Sequence, residues 1–448
     1  MKMSFLMGSL FIFLLFVGVL SAQPLIGKRI PLMGSRFLTF NTVIRVNQIE
    51  VSRNKSIGAD ERALHTPKRV VNFRNAITNA FADARITWAF SWRALHDTSF
   101  NYRQIRKIVV GYHYKYGDAI TFIPGAYFAN AYNSTNQVNK DIHDALALIA
   151  KLVGNNYRPL SIVAGFLSSK NQQYLSKEEG IHVCQGNIWS QYSIDNQDGD
   201  GSVSYPYYPS TEHFCKPAQN KDDFIDCVNL DGWTVDFLAA RRAGFADGFN
   251  SRMGVGPIET IGRYGAKIGL KEMMHTTAIH FDKGFKLNGF GWVTNCWELC
   301  LPYDVKYLTD WLNEIKARWP NVKFITQGEF GMIWRKYYKT NNFNYRFEEN
   351  GSGIGGSDKD KKIQWFMNKD FRLALLGDTN GNNEKVIDFT RYNLPAKEPK
   401  SGSTRNWSLL GEINQKGLRV QDKPVAIDSL SIEDKAIIGK YYPKLLNQ

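Results

Sequence analysis

The stretch from 289 to 330 contains two β-like runs on either side of one helical run. The first run is GFGWVTNCWE (289–298) and the last is VKFITQGEF (322–330), and both are rich in β-branched and aromatic residues. Between them, residues 304–319 place large apolar side chains on one helical face, namely Leu308, Trp311, Leu312, Ile315 and Trp319. A strand, a helix and a second strand in this order predict a parallel βαβ unit.

The same alternation extends back to residue 36. Further β-like runs are at 36–51, 86–92, 120–128, 160–167, 180–188, 231–237 and 275–281, and helical runs are at 59–82, 101–112 and 138–153. Strand–helix–strand units repeated over roughly three hundred residues predict an α/β fold, and we expect a distorted (β/α) barrel.

The composition changes after residue 340. The glycine-rich segment GSGIGGS (351–357) opens a region of short β-like runs, which ends in a helical run near 432–441. We therefore expect the barrel over 23–340 and a smaller β-sandwich-like domain over 341–448.

The first 22 residues predict a signal peptide. Lys2 is followed by an almost unbroken apolar run at 5–20 and by the small residues Ser21 and Ala22. We therefore expect cleavage near Ala22, a secreted or periplasmic mature protein, and no membrane span after cleavage. An uncleaved N-terminal anchor is the alternative, because the apolar run is long for a signal peptide.

Composition narrows the class of partner. The 448 residues carry a formal net charge of +14, with 43% hydrophobic and 13% aromatic residues, so a large folded core is expected. Lysine and arginine are scattered, without the dense basic block of a nucleic-acid-binding arm, and we expect no nucleic-acid partner. The positive charge is compatible with an acidic glycan partner, although a solvated basic surface is the better explanation of it.

Motifs for several other chemistries do not occur in the sequence. It contains no G-x-S-x-G elbow, no P-loop, no H-E-x-x-H and no C-x-x-C. The five cysteines leave three states open: a Cys215–Cys227 disulfide, a Cys296–Cys300 disulfide, or buried reduced thiols.

Acidic residues follow several of the expected strands, which is where a (β/α) barrel carries its active site. Glu298 and Glu329 end two successive strands, so we expect them to face each other across the barrel mouth. Such a pair supplies the acid and the nucleophile or base of glycoside hydrolysis. Asp231, His280 and Asp282 are expected to orient the pair. Ordinary ion-paired glutamates are the alternative interpretation.

Aromatic and amide side chains accompany these acids. Sugar rings stack on indole and phenol faces, whereas amides bind sugar hydroxyl groups. The residues expected to bind substrate are Trp189, Tyr207, Trp233, Trp292, Trp297, Trp334, Gln185 and Asn187. Core packing is the alternative for each aromatic residue taken alone.

A short acidic segment is a candidate calcium loop. In NQDGDG (196–201), Asn196, Asp198 and Asp200 alternate as in the first half of such a loop. The twelfth position is Tyr207 instead of a bidentate glutamate, and an Asp-Gly turn is the alternative. The predicted hydrolysis requires no cofactor, so calcium is an optional ion.

Four blocks of the sequence carry a resemblance to a known family. They are GIHVCQGNIWSQYSIDNQDGDGSVSYPYYPSTEHFCKPAQ (180–219), LDGWTVDF (230–237), NCWE (295–298) and ITQGEFG (325–331). They resemble exported two-domain proteins of gut Bacteroidetes, with similarity over nearly the whole mature chain. The resemblance implies a barrel similar to those of glycoside hydrolases and NodB-like polysaccharide deacetylases, and a carbohydrate substrate. It transfers no catalytic residue.

We therefore predict an exported glycoside hydrolase that acts on a poly- or oligosaccharide. A metal-dependent carbohydrate deacetylase is one alternative, although the sequence lacks the His-x-x-x-His pair of those enzymes. A glycan-binding protein without catalysis is the other, and carboxyl groups too far apart would favour it.

Overall fold

The computed structural model describes residues 30–187, 200–241, 252–299, 304–402, 407–409, 411–413 and 424–446. Its strands, in chain order, are β1 (Arg36–Ile44), β2 (Asn47–Glu50), β3 (Ser56–Asp60), β4 (Thr87–Phe90), β5 (Ala119–Phe122), β6 (Ile162–Val163), β7 (Val183–Asn187), β8 (Val228–Asp231), β9 (Gly291–Glu298), β10 (Lys323–Phe324), β11 (Asn344–Asn350), β12 (Lys361–Asn368), β13 (Phe371–Asp378) and β14 (Lys385–Arg391).

The helices, in chain order, are α1 (Pro67–Ala80), α2 (Trp92–His96), α3 (Phe100–Tyr116), α4 (Ala129–Tyr132), α5 (Thr135–Val153), α6 (Ser169–Lys177), α7 (Phe237–Ala240), α8 (Pro257–Ala278), α9 (Phe285–Asn288), α10 (Lys306–Arg318), α11 (Gln327–Tyr337) and α12 (Ile432–Tyr441). A π-helical turn, Ile279–Gly284, joins α8 to α9.

The N-terminal part of the chain is a distorted (β/α) barrel, as predicted. β1 pairs in parallel with β9 over nearly its whole length and with β4 over its C-terminal half, and β4 pairs with β5. A second parallel sheet has the order β6–β7–β8. The chain after β8 links the two sheets, because the Thr234 N–H donates to the Thr294 carbonyl of β9.

Alternation along β1 separates an outer from an inner face of the barrel. Leu38 and Phe40 belong to the hydrophobic core between the strands and the surrounding helices. Thr39 and Asn41 face the interior, where they hydrogen-bond to residues of other strands and helices. Thr294 of β9 accepts a hydrogen bond from Thr39, so Thr294 lies on the inner face of the barrel.

The predicted helices at 138–153 and 304–319 are confirmed as α5 and α10. Ser134 caps α5 by accepting a hydrogen bond from the Gln137 N–H, and the helix buries its apolar face against the sheet. Propensity and periodicity agree over these long segments, which is why the sequence predicts them well.

Three predicted strands are wrong. Residues 275–281 lie in α8 and the π-helical turn, and 322–330 forms only the short β10 before α11 begins at Gln327. Of 231–237, only Asp231 belongs to a strand, β8, and Phe237 begins α7. Short apolar runs do not distinguish a buried helix from a strand. At the second site, Thr326 supplies a side-chain cap that starts a helix.

The predicted β-rich C-terminal domain is confirmed. Its strands form one antiparallel sheet in the order β11–β12–β13–β14. One face, including Phe347 and Trp365, shares a hydrophobic core with the barrel. The other face, including Phe371 and Phe389, packs on Ile438 of α12. In the described part of this domain, helix α12 therefore occupies the layer where a sandwich would have a second sheet.

The described cysteines are reduced. Cys184, Cys215, Cys227 and Cys296 are buried free thiols, so the Cys215–Cys227 disulfide is not formed. Cys300 and the predicted signal peptide (1–22) lie outside the described residues. Among the helices that the structure describes, none is long and apolar enough to cross a membrane.

Candidate active site

Glu298 lies at the C-terminal end of the barrel and points into its mouth. It is the last residue of β9 and is level with Val43 of β1. Because side chains alternate along a strand, Glu298 lies on the same inner face as Thr294 and Cys296. Its side chain is 23% exposed, so the carboxylate reaches solvent from a largely buried position.

Arg45, the residue after β1, holds a guanidinium group beside Glu298. Its Nη2 lies 3.3 Å from Glu298 Oε2, while Nε and Nη2 each donate to one oxygen of Glu61 at 2.8 Å. The Arg45 and Glu61 side chains are both buried. A two-point contact of this kind fixes the plane of the guanidinium, so Arg45 presents a positioned positive charge to Glu298.

Tyr127 reaches the same place through a strained backbone. Gly125, Ala126 and Tyr127 have φ of +59°, +49° and +89° after β5, and such a conformation costs about 1–3 kcal/mol for a residue other than glycine. Gly165 permits it, because a Cβ at that position would lie 2.6 Å from the Tyr127 Cβ. The strained turn brings the Tyr127 hydroxyl to 2.6 Å from the Cys296 sulfur.

Burial keeps the tyrosine and the cysteine neutral. It raises the pKa of the Tyr127 hydroxyl well above its usual value and the pKa of the Cys296 thiol to about 12. A neutral thiol is a poor nucleophile. Cys296 is therefore a packing and hydrogen-bonding residue of the mouth.

Glu259 is the second carboxyl group of the mouth. It lies in the first turn of α8 and is 4% exposed. Burial raises its pKa to about 7; Arg252 opposes this shift, whereas the charge of Glu298 adds to it. Among the described residues, nothing hydrogen-bonds to Glu259 Oε2. The mouth thus combines an arginine-paired carboxylate with a carboxyl group whose raised pKa leaves it partly protonated at neutral pH, an arrangement that separates base from acid.

The structure does not bring Glu329 to this site. Glu329 is in the first turn of α11, where its carboxylate accepts from the Thr326 N–H at 2.9 Å and pairs with Arg85 at 2.9 Å. The preceding strand, β10, is level with Leu38, five residues before Val43 in β1. At about 3.3 Å per residue, that offset is about 16 Å along the barrel. The predicted pair of Glu298 with Glu329 is therefore not formed.

Asp282 lies on the outside of the barrel. It is in the π-helical turn, where it accepts from Arg318 Nη2 at 2.5 Å and from Trp319 Nε1 at 2.7 Å. The residue therefore connects two helices of the outer layer, and the structure does not place it near Glu298.

Asp231 and His280 are brought together, but inside the barrel. With Trp233 and Trp292 they line an interior cavity of about 10 Å³, which is room for about one water molecule. Burial lowers the pKa of His280 to about 3, and its Nδ1 lies 3.1 Å from the Tyr205 hydroxyl. These predicted site residues support the interior and cannot themselves contact a sugar ring there.

The two predicted amides belong to an interior network. Gln185 accepts from Asn41 Nδ2 at 2.8 Å and donates to the Ala164 carbonyl at 2.8 Å. Asn187 donates to the Ser202 hydroxyl at 2.9 Å. Both side chains are fully buried, so their hydrogen bonds stabilise the polar interior of the barrel.

Three predicted aromatic residues are core residues. Tyr207 donates to the Phe214 carbonyl, Trp334 donates to the Tyr345 hydroxyl, and Trp297 packs on Phe73 of α1. All three are at most 3% exposed, which leaves no ring face for a sugar. Core packing, the alternative stated above, therefore describes them.

The candidate calcium loop is described only at its end. Asp200 is buried and pairs with Arg372 Nη2 at 3.2 Å, so a guanidinium already lies against this carboxylate. Trp189, Asn196 and Asp198 lie outside the described residues. Calcium binding by Asn196 and Asp198 therefore stays a prediction.

The comparisons with known proteins agree with this fold. The model of DUF3863, a domain of unknown function with a solved structure, matches residues 30–367. The chain belongs to the DUF3863 family. A second domain of unknown function, DUF3864, matches residues 372–445. The two matches meet between β12 and β13, inside the antiparallel sheet, whereas the chain leaves the barrel between α11 and β11.

One solved structure is closely similar to this DUF3863 protein. It is a candidate glycoside hydrolase/deacetylase from Parabacteroides distasonis, 50% identical, with a TM-score of 0.88, and the match covers 93% of this chain and 100% of that one. No protein with a curated description matches.

More distant structural neighbours are also found. A candidate polysaccharide deacetylase of Pseudomonas aeruginosa is 12% identical with a TM-score of 0.44, covering 68% of this chain and 92% of that one. A GH57-type branching enzyme of Pyrococcus horikoshii is 8% identical with a TM-score of 0.39, covering 65% and 69%. Similarity this low carries no information about function.

The sequence analysis missed Arg45, Glu61, Tyr127 and Glu259. The first three lie in connections that follow strands, and Glu259 lies in the first turn of α8, after a Gly-Pro pair that marks the start of a helix. The sequence therefore contained the signal for the start of this helix. It did not show that the start of α8 lies beside β9, because the two elements are distant in the chain.

Proposed function

We propose that this DUF3863 protein is a glycoside hydrolase whose carboxyl pair is Glu298 and Glu259. The observation that carries the proposal is the contrast at the barrel mouth between an arginine-paired carboxylate and a buried carboxyl group with a pKa of about 7. The description of the Parabacteroides distasonis relative as a candidate glycoside hydrolase/deacetylase supports a carbohydrate substrate.

The two groups take different roles in this mechanism. Glu259 is protonated near neutral pH and donates its proton to the glycosidic oxygen as the bond between that oxygen and the anomeric carbon breaks. Glu298 acts on the opposite side, either by attacking the anomeric carbon or by accepting a proton from the attacking water. Arg45 orients the Glu298 carboxylate for that step and is a positioning residue.

The substrate class follows from charge and from the leader. A formal net charge of +14 favours approach by an acidic poly- or oligosaccharide. The apolar N-terminal run supports export, and an exported protein meets such polymers outside the cytoplasm.

Turnover of a glycan panel by the wild type, Glu298→Gln and Glu259→Gln tests the proposal. A general acid contributes about 10²- to 10⁴-fold, so each variant should lose at least 100-fold in turnover while keeping its melting temperature. Glu314→Gln, a change of an exposed glutamate on α10, is the matched control and should keep full turnover.

Three results would refute the assignment. Full turnover in both Gln variants would show that Glu298 and Glu259 are not the catalytic pair. The wild type could bind glycans without cleaving them, which would favour the glycan-binding alternative. Release of acetate without cleavage of a glycosidic bond would favour the deacetylase.

A further inference from the structure

A second group of acidic side chains lies at the junction of the barrel and the antiparallel sheet. Asp236 precedes α7, His275 is in the last turn of α8, and Glu349 is near the end of β11. One ligand atom from each of these residues lies within 4.8 Å of the others. Glu272 is one helical turn before His275, on the same face of α8, and its charge acts on both Asp236 and Glu349.

The carboxylates of this group are buried. Asp236 and Glu272 are 0% exposed and Glu349 is 2% exposed. Within the described ranges, no lysine or arginine nitrogen comes within 4 Å of these carboxylates, and their one ion-pair partner is His275 Nε2, at 3.5 Å from Glu349 Oε1. Burying several carboxylates without a cation costs several kcal/mol per ion, so the group requires neutralisation.

Several oxygen atoms of the group lack a hydrogen-bond partner. Across the part of the chain that the structure describes, both oxygens of Glu272 and the Oδ2 of Asp236 accept no hydrogen bond. The other Asp236 oxygen accepts from the Ala239 N–H at 2.7 Å, and Glu349 Oε2 accepts from the Phe237 N–H at 2.8 Å. Glu349 Oε1 also accepts from the Ser357 hydroxyl at 3.3 Å, so the acceptors left for a ligand are those of Glu272 and one oxygen of Asp236.

We propose that Asp236, His275 and Glu349, with Glu272 beside them, bind a divalent transition-metal ion that joins the antiparallel sheet to the barrel. Carboxylate oxygens and an imidazole nitrogen are ligands that Zn²⁺ and Mn²⁺ accept. Ligand atoms on opposite sides of such an ion stand about 4.2 Å apart, twice a bond length of about 2.1 Å, so small side-chain rotations close the 4.8 Å group around it.

The metal site is separate from the proposed active site. Glu259 lies in the first turn of α8, and Glu272 lies beyond the break in this helix at Gly265. The charges that shift the pKa of Glu259 are those of Arg252 and Glu298, not those of the acidic group at the junction. Because its acidic ligands are buried between two domains, the ion stabilises the junction instead of meeting substrate. This site therefore stands or falls independently of the hydrolase proposal.

Metal analysis of the full chain, purified without chelators, is the test. We expect about one equivalent of Zn²⁺ or Mn²⁺ per chain. Removal with EDTA should lower the melting temperature by roughly 5 °C, and addition of either ion should restore it, because a ligand that binds only the folded state stabilises that state.

Matched variants assign the site. Glu349→Gln should raise the dissociation constant for Zn²⁺ at least tenfold, whereas Glu348→Gln should leave it unchanged. Glu348 is the adjacent residue of β11 and pairs with Lys283 at 2.5 Å, outside the group. If Glu349→Gln does not fold, His275→Gln replaces it, because this histidine is partly open to solvent and glutamine leaves a polar side chain beside Glu349.

The proposal is overturned by any of three results. The first is a wild-type protein that binds neither ion and whose melting temperature does not change with EDTA or added metal. That result would mean that protons neutralise the group. Glu348→Gln could weaken binding as much as Glu349→Gln. Ca²⁺ alone could restore the melting temperature, which would exclude the imidazole as a ligand.

Discussion

The barrel mouth and the barrel–sheet junction each contain buried glutamates, yet among the described residues only the mouth pairs a glutamate with an arginine. Arg45 pairs with Glu61 and Glu298 at the mouth, whereas Asp236, Glu272 and Glu349 at the junction have His275 as their one described ion-pair partner. The same helix, α8, supplies a glutamate to each site. At the mouth, a fixed arginine balances the charge of the carboxylate that we propose to be catalytic. At the junction, no arginine of the described ranges balances the buried carboxylates, so they require a bound cation.

Other buried carboxylates of this protein resemble those of the mouth. Asp118 pairs with Arg74 at 2.9 Å, and Asp388 pairs with Arg372 at 2.6 Å, with all of these side chains nearly inaccessible to solvent. In the described part of the chain, the buried Glu50 and the half-buried Glu398 have no arginine ion pair, but both oxygens of each accept hydrogen bonds from a serine hydroxyl or a backbone N–H. At the junction, both oxygens of Glu272 and one oxygen of Asp236 have no such partner among the described residues, which is the reason to expect a ligand there.

The largest effect that separates the two regions is on turnover. Glu298→Gln should reduce turnover by at least 100-fold, because it removes the proposed nucleophile or base. Glu349→Gln should keep turnover within about twofold at temperatures well below its melting point, since the junction does not meet substrate. Equal losses in the two variants, measured on the same glycan, would erase the distinction between the regions.

The next effect is on stability at the mouth. Arg45→Met should destabilise the fold by about 3–5 kcal/mol, because it leaves the buried Glu61 carboxylate without its partner. Arg45→Lys retains a positive charge and should cost less. Equilibrium unfolding in urea measures both, and a loss below about 1 kcal/mol in Arg45→Met would show that the mouth tolerates unpaired charge.

The pH dependence of turnover is the third way to test the mouth. Glu259 must be protonated to act as an acid and its pKa is about 7, so turnover should fall about tenfold per pH unit above neutrality. The stabilisation linked to this group is present below its unfolded pKa and is lost as pH rises through about 7. Glu259→Gln should remove that loss from a melting-temperature series; turnover that is flat up to pH 9 would exclude the role of Glu259.

The smallest effect concerns Glu329. Glu329→Gln weakens the α11 capping box and the Arg85 ion pair, which should cost about 1 kcal/mol of folding stability with unchanged turnover. Thermal melts and the glycan assay on the same sample measure both quantities. A tenfold or greater loss of turnover would restore Glu329 to the active site.

Long periodic elements could be predicted from local sequence alone. The α5 and α10 helices follow the 3.6-residue spacing of their apolar residues, and β9 follows the run that ends in Glu298. The position of Glu298 at a strand end, facing the mouth, also follows from that pattern. Where a short run was equally suited to helix and strand, as at 275–281, a local pattern had no means to decide.

The choice of partner for Glu298 required the tertiary structure. The sequence analysis paired it with Glu329 because both end an apolar run, but β10 is offset along β1 and Thr326 starts a helix that turns Glu329 toward Arg85. Glu259 replaces it in the proposed pair, because Asn295 of β9 donates to the Val255 carbonyl just before α8 and so holds the start of that helix beside β9. Register between distant strands is set by burial over the whole barrel, so it does not appear in any short window of sequence.

The sequence by itself determined the alternation of strands and helices, the change of composition near residue 340 and the acidic end of β9, because each is a property of neighbouring residues. Only the tertiary structure decided which carboxylates meet an arginine and which do not, and that Trp233, Trp292, Trp297 and Trp334 are buried. Those outcomes depend on desolvation and charge pairing between residues far apart in the chain. Glu259 and Glu272, on opposite sides of the break in α8 at Gly265, acquire different surroundings for that reason.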